Sequence, residues 1–196
     1  MKIKKFDDKY LNDISNLWLN SFNENFLSIL GKKIITSYLS EFLKVKYNKG
    51  FVLEKNNKII AFVLYGNESK VLNKILLKNF IYIVLSLFKF LISIDIKNVL
   101  LFINIAYFNL ILKLNPPSFN IFKELLIVVV DKKHHGKGYG QKLIKNSLKD
   151  KYFDKNTFIF VKTLSYTKQN IQFYKKIKFK YVTKIFYRVF LKLKIE

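Results

Sequence analysis

Cysteine is absent from this 196-residue sequence. That excludes a disulfide scaffold, a cysteine nucleophile and thiolate-ligated zinc, and it fits a reducing compartment. Arginine is nearly absent as well: Arg188 is the only one, and the remaining basic residues are lysine. Acidic side chains are scarce, 13 against 36 basic, so the formal charge is +23. A charge that large directs attention to nucleic acid or an anionic membrane, because either would exchange counterions for many lysine contacts. Phosphate and base-edge recognition, however, favours the planar arginine fork. The lysines also run with abundant Asn, Ile, Phe and Tyr, as adenine- and thymine-rich codons would give. The composition therefore reads as a lysine-rich solvated surface, and no nucleic-acid partner is expected. Histidine is limited to His134 and His135. Adjacent side chains in a turn diverge, and no Asp, Glu or Cys cluster completes a ligand set, so no metal site is expected.

What is present is a chain 51% apolar and 25% charged, which fits one globular domain over 1–196 with an insertion, and excludes disorder and collagen-like repeats. At the start, Asp7 and Asp8 stand where a signal peptide would need an apolar run, so the expected location is the cytoplasm. Ile3 to Phe6 reads as a strand. Leu11, Ile14, Leu17, Trp18 and Phe22 fall at helical spacing after Asp7-Asp8, and Ile34, Ile35, Tyr38, Leu39, Phe42 and Leu43 give a second helix. Phe51–Glu54 and Ile59–Tyr65 form a hairpin through Lys55-Asn56-Asn57-Lys58.

From about residue 70 to 114 the sequence becomes long apolar stretches closed by Asn115-Pro116-Pro117, the pattern of a helical hairpin inserted between the third and fourth strands. Lys74, Lys78, Tyr82, Ser86, Lys89 and Ser93 follow a polar stripe, leaving an apolar face of Leu72, Leu76, Ile83, Leu87, Phe90 and Leu91. Three readings are open: a lid over an acceptor pocket, to which Tyr82 and Phe88 would contribute; an amphipathic hairpin resting peripherally on the anionic inner membrane surface; and a homodimer interface. A double membrane span is disfavoured by lysines within the first helix.

After the prolines, Phe119 to Val130 reads as a central strand, its end unbroken by polar residues as burial on both faces requires. Gly136-x-Gly138-x-Gly140 follows, and then a helix with Leu143, Ile144 and Leu148 at helical spacing. Glycines allow a backbone to turn its N–H groups toward one point, and the helix N-terminus adds positive dipole, so this is a candidate phosphate cradle. Its spacing fits neither the nucleotide-hydrolase loop nor the dinucleotide fingerprint. Thr157–Thr163 is a further strand, Lys168–Lys176 a short helix, and Phe179–Lys194 supplies two closing strands.

Two stretches resemble the GCN5-related N-acetyltransferases (the GNAT superfamily). Glu124-Leu125-x-x-Val128-x-Val130-Asp131-x-x-x-His135-Gly136-Lys137-Gly138-Tyr139-Gly140-x-x-Leu143 is similar to that family's acetyl-CoA strand and its Q/R-x-x-G-x-G/A loop. Asn170-x-x-Phe173-Tyr174-Lys175-Lys176-x-x-Phe179 is similar to its later N-x-x-A-x-x-F-Y-x-K-x-G-F block. His135 replaces the usual Gln or Arg, Thr167 the usual Asn, and Lys178 the usual Gly; Asn170 stands at the small-residue position. The resemblance implies an α/β fold: a mixed, mostly antiparallel central sheet flanked by helices.

The resemblance also implies acetyl-CoA as cofactor and direct attack of a primary amine on its thioester. The cofactor set it implies is His135, Gly136, Lys137, Gly138, Tyr139, Gly140 and Gln141 around the pyrophosphate, Asn170 from the second block, and the edges of Val128 and Val130 along the pantetheine arm. An amide near Val129 or Val130 would polarise the thioester carbonyl. Tyr174 would protonate the thiolate. Glu124 lies six residues before Val130 on the same strand, so period two puts it on the same face, and if that face lines the acceptor cleft it could take the amine proton, directly or through water. The expected acceptor is a small-molecule amine, with an amino sugar as one candidate. The alternatives are a protein N-acetyltransferase, or a non-catalytic basic protein of the same fold associated with membrane or nucleic acid.

Overall fold

The computed structural model describes residues 1–22, 26–66, 68–83, 85, 123–155, 157–185 and 187–195. Seven strands form one sheet: β1 (Lys2–Lys5), β2 (Lys49–Lys55), β3 (Lys58–Gly66), β4 (Glu124–Val130), β5 (Phe158–Leu164), β6 (Lys180–Ile185) and β7 (Arg188–Lys194), in the order β1-β2-β3-β4-β5-β7-β6. Every pairing is antiparallel except β4 with β5. The helices are α1 (Leu11–Ser21), α2 (Phe26–Ile29), α3 (Lys32–Lys44), α4 (Glu68–Lys78), α5 (Tyr139–Ser147) and α6 (Lys168–Lys176). The mixed, mostly antiparallel sheet flanked by helices is the architecture expected from the sequence.

Each face of the sheet carries its own core, as period-two strands covered by amphipathic helices require. On one face Ile14, Trp18, Ile34, Leu39 and Phe42 from α1 and α3 meet Val52, Phe62, Leu64 and Val129. On the other, Leu143 and Ile144 of α5 and Tyr174 of α6 meet Leu53, Ala61, Val63, Tyr65 and Leu125. The β2–β3 turn places Asn56 (φ 50°) and Asn57 (φ 59°) in the left-handed region that Asn tolerates best among residues with a Cβ. Phe22 differs from its expected role: it closes α1 as an exposed residue instead of packing inward.

The helical-insertion expectation falls largely outside the described residues, as do residues 119–122 of the strand expected over Phe119 to Val130 and the prolines before it. For the part that is described, Leu72 and Ile83 of the expected apolar face pack on the core and Lys74 of the polar stripe is exposed, whereas Tyr82 of that stripe also packs against the core. Val71, Ile75 and Ile83 are the buried positions, with Asn79 between them donating to Ser37 Oγ at 3.1 Å. Helical hydrogen bonds continue from Asn79 N–H to Ile75 and from Ile83 N–H to Asn79. Lys78 is exposed, as expected of the polar stripe, and its Nζ lies 2.9 Å from Glu41 Oε1 on α3. Leu77, Phe80, Ile81 and Leu85 are the exposed ones. Among the described residues, no helix is long and apolar enough to cross a membrane.

Helix α6 ends in a Schellman turn. Phe179 N–H donates to Tyr174 O, Lys178 N–H donates to Lys175 O, and the Tyr174 and Phe179 rings pack at 5.5 Å. Lys178, where the family pattern has glycine, adopts φ 72°. A residue with a Cβ is strained there by about 1 kcal/mol. Lys178→Gly is therefore expected to raise the unfolding midpoint by roughly 2–4 °C, measured by thermal denaturation. A second test concerns acid. Hydrogen bonds from Lys78 and Lys44 outweigh burial and bring the Glu41 carboxyl down from 4.5 to about 2. A folded-state value below the unfolded one gives stability that is fully present above 4.5 and is lost as pH falls through 2. Between those limits Glu41→Gln should flatten the dependence of stability on pH, as read from urea unfolding at stepped pH.

Candidate active site

The site is built where β4 leaves β5. The two strands pair only at Glu124↔Phe160 and Leu125↔Val161. At the same place the β3 register slips: Tyr65 faces Leu125 and Leu64 faces Ile127, so Leu126 is an extra residue in β4. A bulge of this kind bends its strand and interrupts the ladder. From Leu126 onward the β5 side of β4 has no strand neighbour among the described residues.

The bulge corrects one expectation directly. Regular alternation would put Glu124 on the face of Val130, but the extra residue resets the count. Leu125, Val128 and Val130 share the α5 face, whereas Ile127 and Val129 pack with the α1 and α3 core, and Glu124 falls on that second side. Glu124 Oε1 is 2.8 Å from Lys162 Nζ of β5, and both side chains are mostly buried. Nothing in the run Leu125 to Val130, apolar on both faces, marks the extra residue, and Lys162 was not singled out by sequence reasoning.

A second correction concerns which amide faces the opening. Asp131 N–H donates to Ile60 O at 2.9 Å. In an antiparallel ladder alternate residues point the same way, so Val129 and Ile127 also direct their N–H and C=O toward β3. Val129 is thus engaged within the sheet and removed from the expected cofactor set. Val128 and Val130 present their backbone groups to the open edge.

Beyond Val130, the Asp131 side chain accepts from Lys133 N–H at 2.8 Å and starts a 3-10 turn over Lys132–His134. His135 Nε2 lies 2.8 Å from Val130 O. Gly136 and Gly138 both have φ 74°, and Gly138 is the N-cap of α5. A Cβ at either would meet nothing within 4 Å, so these glycines serve backbone conformation and face open space. Gly140 is different: its Cβ would stand 3.2 Å from Phe173 Cζ and 3.3 Å from Val130 Cγ2, so its hydrogen is what lets α5 approach α6 and the end of β4.

The first N–H groups of a helix have no intrahelical acceptor. Among the described residues no backbone oxygen accepts from the N–H groups of Gly136, Lys137, Gly138, Tyr139, Gly140 or Gln141; the first intrahelical bond is Lys142 N–H to Gly138 O. The donor set, the left-handed glycines and the helix dipole together fit a pyrophosphate. Lys132, Lys133, Lys137 and Lys142 are exposed around it. His134 packs its ring 5.8 Å from that of Tyr139, with Nδ1 buried and unpartnered.

Helix α5 is fixed from below by a contact that sequence reasoning missed. The Tyr65 hydroxyl and Ser147 Oγ are 2.8 Å apart, and Ser147 Oγ also donates to Ile144 O. Tyr174 is buried on the same side between Phe173 and Phe179, and burial pushes its phenol well above the ordinary tyrosine range. Asn170 lies exposed in the first turn of α6, its N–H donating to Thr167 O. No cluster of three potential metal ligands occurs among the described residues.

Residues 104–181 match the family described as Acetyltransferase (GNAT) domain. No curated protein matches the sequence. Among solved structures, an acetyltransferase from Thermus thermophilus is similar, with TM-score 0.61 at 8% identity, covering 100% of this chain and 98% of that one. The ribosomal-protein-alanine N-acetyltransferase from Brucella melitensis gives TM-score 0.60 at 11% identity, with 100% of both chains covered. The PaiA N-acetyltransferase from Thermoplasma acidophilum, in complex with coenzyme A, gives 0.56 at 12% identity over 98% of each. These likenesses are to the fold.

The loop geometry itself can be tested. Gly138→Ala should cost about 1 kcal/mol of stability because a Cβ is strained at that φ. Gly140→Val should cost more, roughly 1–3 kcal/mol, because it must displace Phe173 and Val130. Urea unfolding of both variants measures the difference.

Proposed function

We propose that the chain, of which residues 104–181 match the Acetyltransferase (GNAT) domain family, is an N-acetyltransferase that transfers the acetyl group of acetyl-CoA to a primary amine of a small molecule. The observation that carries the reading is the adjacency of two donor arrays. The open edge of β4 at Val128 and Val130 runs directly into the N–H groups of Gly136 through Gln141. An amide-bearing arm can lie along the first as an added strand while its phosphates sit on the second.

When bound, acetyl-CoA supplies an acyl carbon activated as a thioester, which the amine attacks directly. The chain's own groups divide the remaining work. Outward N–H groups at Val128 and Val130 hold the arm and are the donors available to polarise a carbonyl at the strand edge. Lys132, Lys133, Lys137 and Lys142 raise the local concentration of phosphates. Tyr174, a phenol and so protonated at neutral pH, is the donor to a departing thiolate.

Glu124 is the proton acceptor for the ammonium. In its ion pair with Lys162 it is a carboxylate, and the bulge sets it on the face opposite the glycine loop. Donor and acceptor thereby approach the gap from different sides of the sheet. Asn170 extends the donor side from α6. The amine class is proposed from the fold, with an amino sugar among the candidates.

Calorimetric titration of acetyl-CoA into the protein is expected to give saturable binding, and an absence of heat overturns the reading. Tyr174→Phe should lower kcat about a hundredfold while the acetyl-CoA KM stays within about threefold; unaltered turnover would remove Tyr174 as the acid. A thiol-release screen over amino sugars, polyamines, amino acids and basic peptides identifies the acceptor.

A further inference from the structure

We infer that helix α4, with the helical turn that follows it, carries a docking surface for an anionic lipid leaflet. The observation is a second apolar row on the side of the helix away from the core. Val71, Ile75 and Ile83 are buried, and Asn79 on the same line bonds to Ser37 Oγ of α3 at 3.1 Å. Leu77, Ile81 and Leu85 recur at every fourth position, two residues out of step with that line, which sets them about 200° round the helix. Phe80 lies beside them. All four are exposed, between 57% and 83%. Single apolar side chains on a surface are ordinary, but large ones in a continuous row mark a contact. The helix cannot hide them by turning, because the bonds of Asn79 and Lys78 to α3 fix its rotation.

Charge identifies the occupant. Lys74 and Lys78 stand three residues before Leu77 and Ile81, at the border of the row, and both are exposed. From α3 the exposed Lys33 sets its ammonium 4.7 Å from the centre of the Tyr82 ring. Glu41, the carboxylate paired with Lys78, is shared with Lys44, each at 2.9 Å, so the neighbourhood stays positive. Large apolar side chains bordered by lysines match anionic headgroups over acyl chains: the row enters the boundary between the two while the lysine stems keep their ammonium groups at the phosphates. Lysine suits this task because it acts as a point charge and asks for no fixed partner geometry. A protein partner would need acidic groups in register with Lys33, Lys74 and Lys78, whereas a fluid leaflet supplies them at any register. The formal charge of +23 draws the chain toward such a surface.

The test uses the full chain and vesicles of phosphatidylcholine with or without phosphatidylglycerol, read by co-sedimentation. The overall charge alone attracts anionic vesicles, so the decisive comparison holds it constant: Phe80→Ser combined with Ile81→Ser. Wild type is expected to bind the anionic vesicles, and the double variant to bind them at least about tenfold more weakly. Lys74→Glu should weaken binding about fivefold or more. The unfolding midpoint should move by less than about 2 °C in each variant. The inference does not rest on the acetyl-CoA reading, and coenzyme A binding should match wild type in each.

Equal vesicle affinity in wild type and the double variant overturns the inference, because charge alone then accounts for binding. Wild type that fails to bind anionic vesicles overturns it too. A wild-type dimer that the double variant dissolves, seen by sedimentation velocity, assigns the row to a second copy of the chain instead. A midpoint lowered by more than about 4 °C in the double variant assigns the row to packing within the chain. Either result overturns the lipid reading.

Discussion

One surplus residue in a strand, Leu126, is the constraint on which the site depends. Without it, β4 would keep its register against β3 to the end and could continue its parallel pairing with β5. With it, β4 bends away after two pairs, and the backbone groups of Val128 and Val130 are left facing a gap. The same residue decides which side chains reach which face, placing Glu124 opposite the glycine loop. The site is therefore a property of backbone geometry first. The glycines and the helix N-terminus lie beyond an opening that begins at the bulge, and the roles proposed for them and for Tyr174 depend on it.

That hierarchy explains what was legible in the sequence. Gly136, Gly138 and Gly140 announced themselves because each satisfies a demand that other residues meet poorly, two by positive φ and one by close approach to Phe173 and Val130. The hairpin at Asn56-Asn57 and the helices with a clear polar side were legible for the same kind of reason. The bulge was not, since Leu125 to Val130 is apolar on both faces and carries no alternation for an extra residue to break. In and just after α4 the sequence was partly legible: Leu72 and Ile83 of the expected apolar face pack on the core, but Val71 and Ile75, which are buried more deeply than Leu72, look no fitter for burial than the exposed Leu77, Phe80 and Ile81. Lys162 was invisible because one lysine among so many carries no signal.

The charge has a clearer place beside the structure. Acidic residues are few, and those described in ion pairs are each matched by lysine: Asp7 with Lys9, Glu54 with Lys4, Asp150 with Lys5, Asp154 with Lys123, Glu124 with Lys162, and Glu41 with Lys44 and Lys78. Pairs at the surface contribute little individually, and the excess lysines repel one another. The positive charge is thus a mild cost to the fold, while it draws anions toward the loop at a range set by ionic strength.

The short seam between β4 and β5 also bears on how the molecule comes apart. Strands β1 to β4 and strands β5, β7 and β6 are two blocks of well-paired ladder joined by two rungs. The ligand arm proposed to lie along β4 would supply rungs the polypeptide does not form. Ligand occupancy and resistance to unfolding are then one thermodynamic quantity seen from two sides, and the unfolding midpoint becomes a function of ligand concentration.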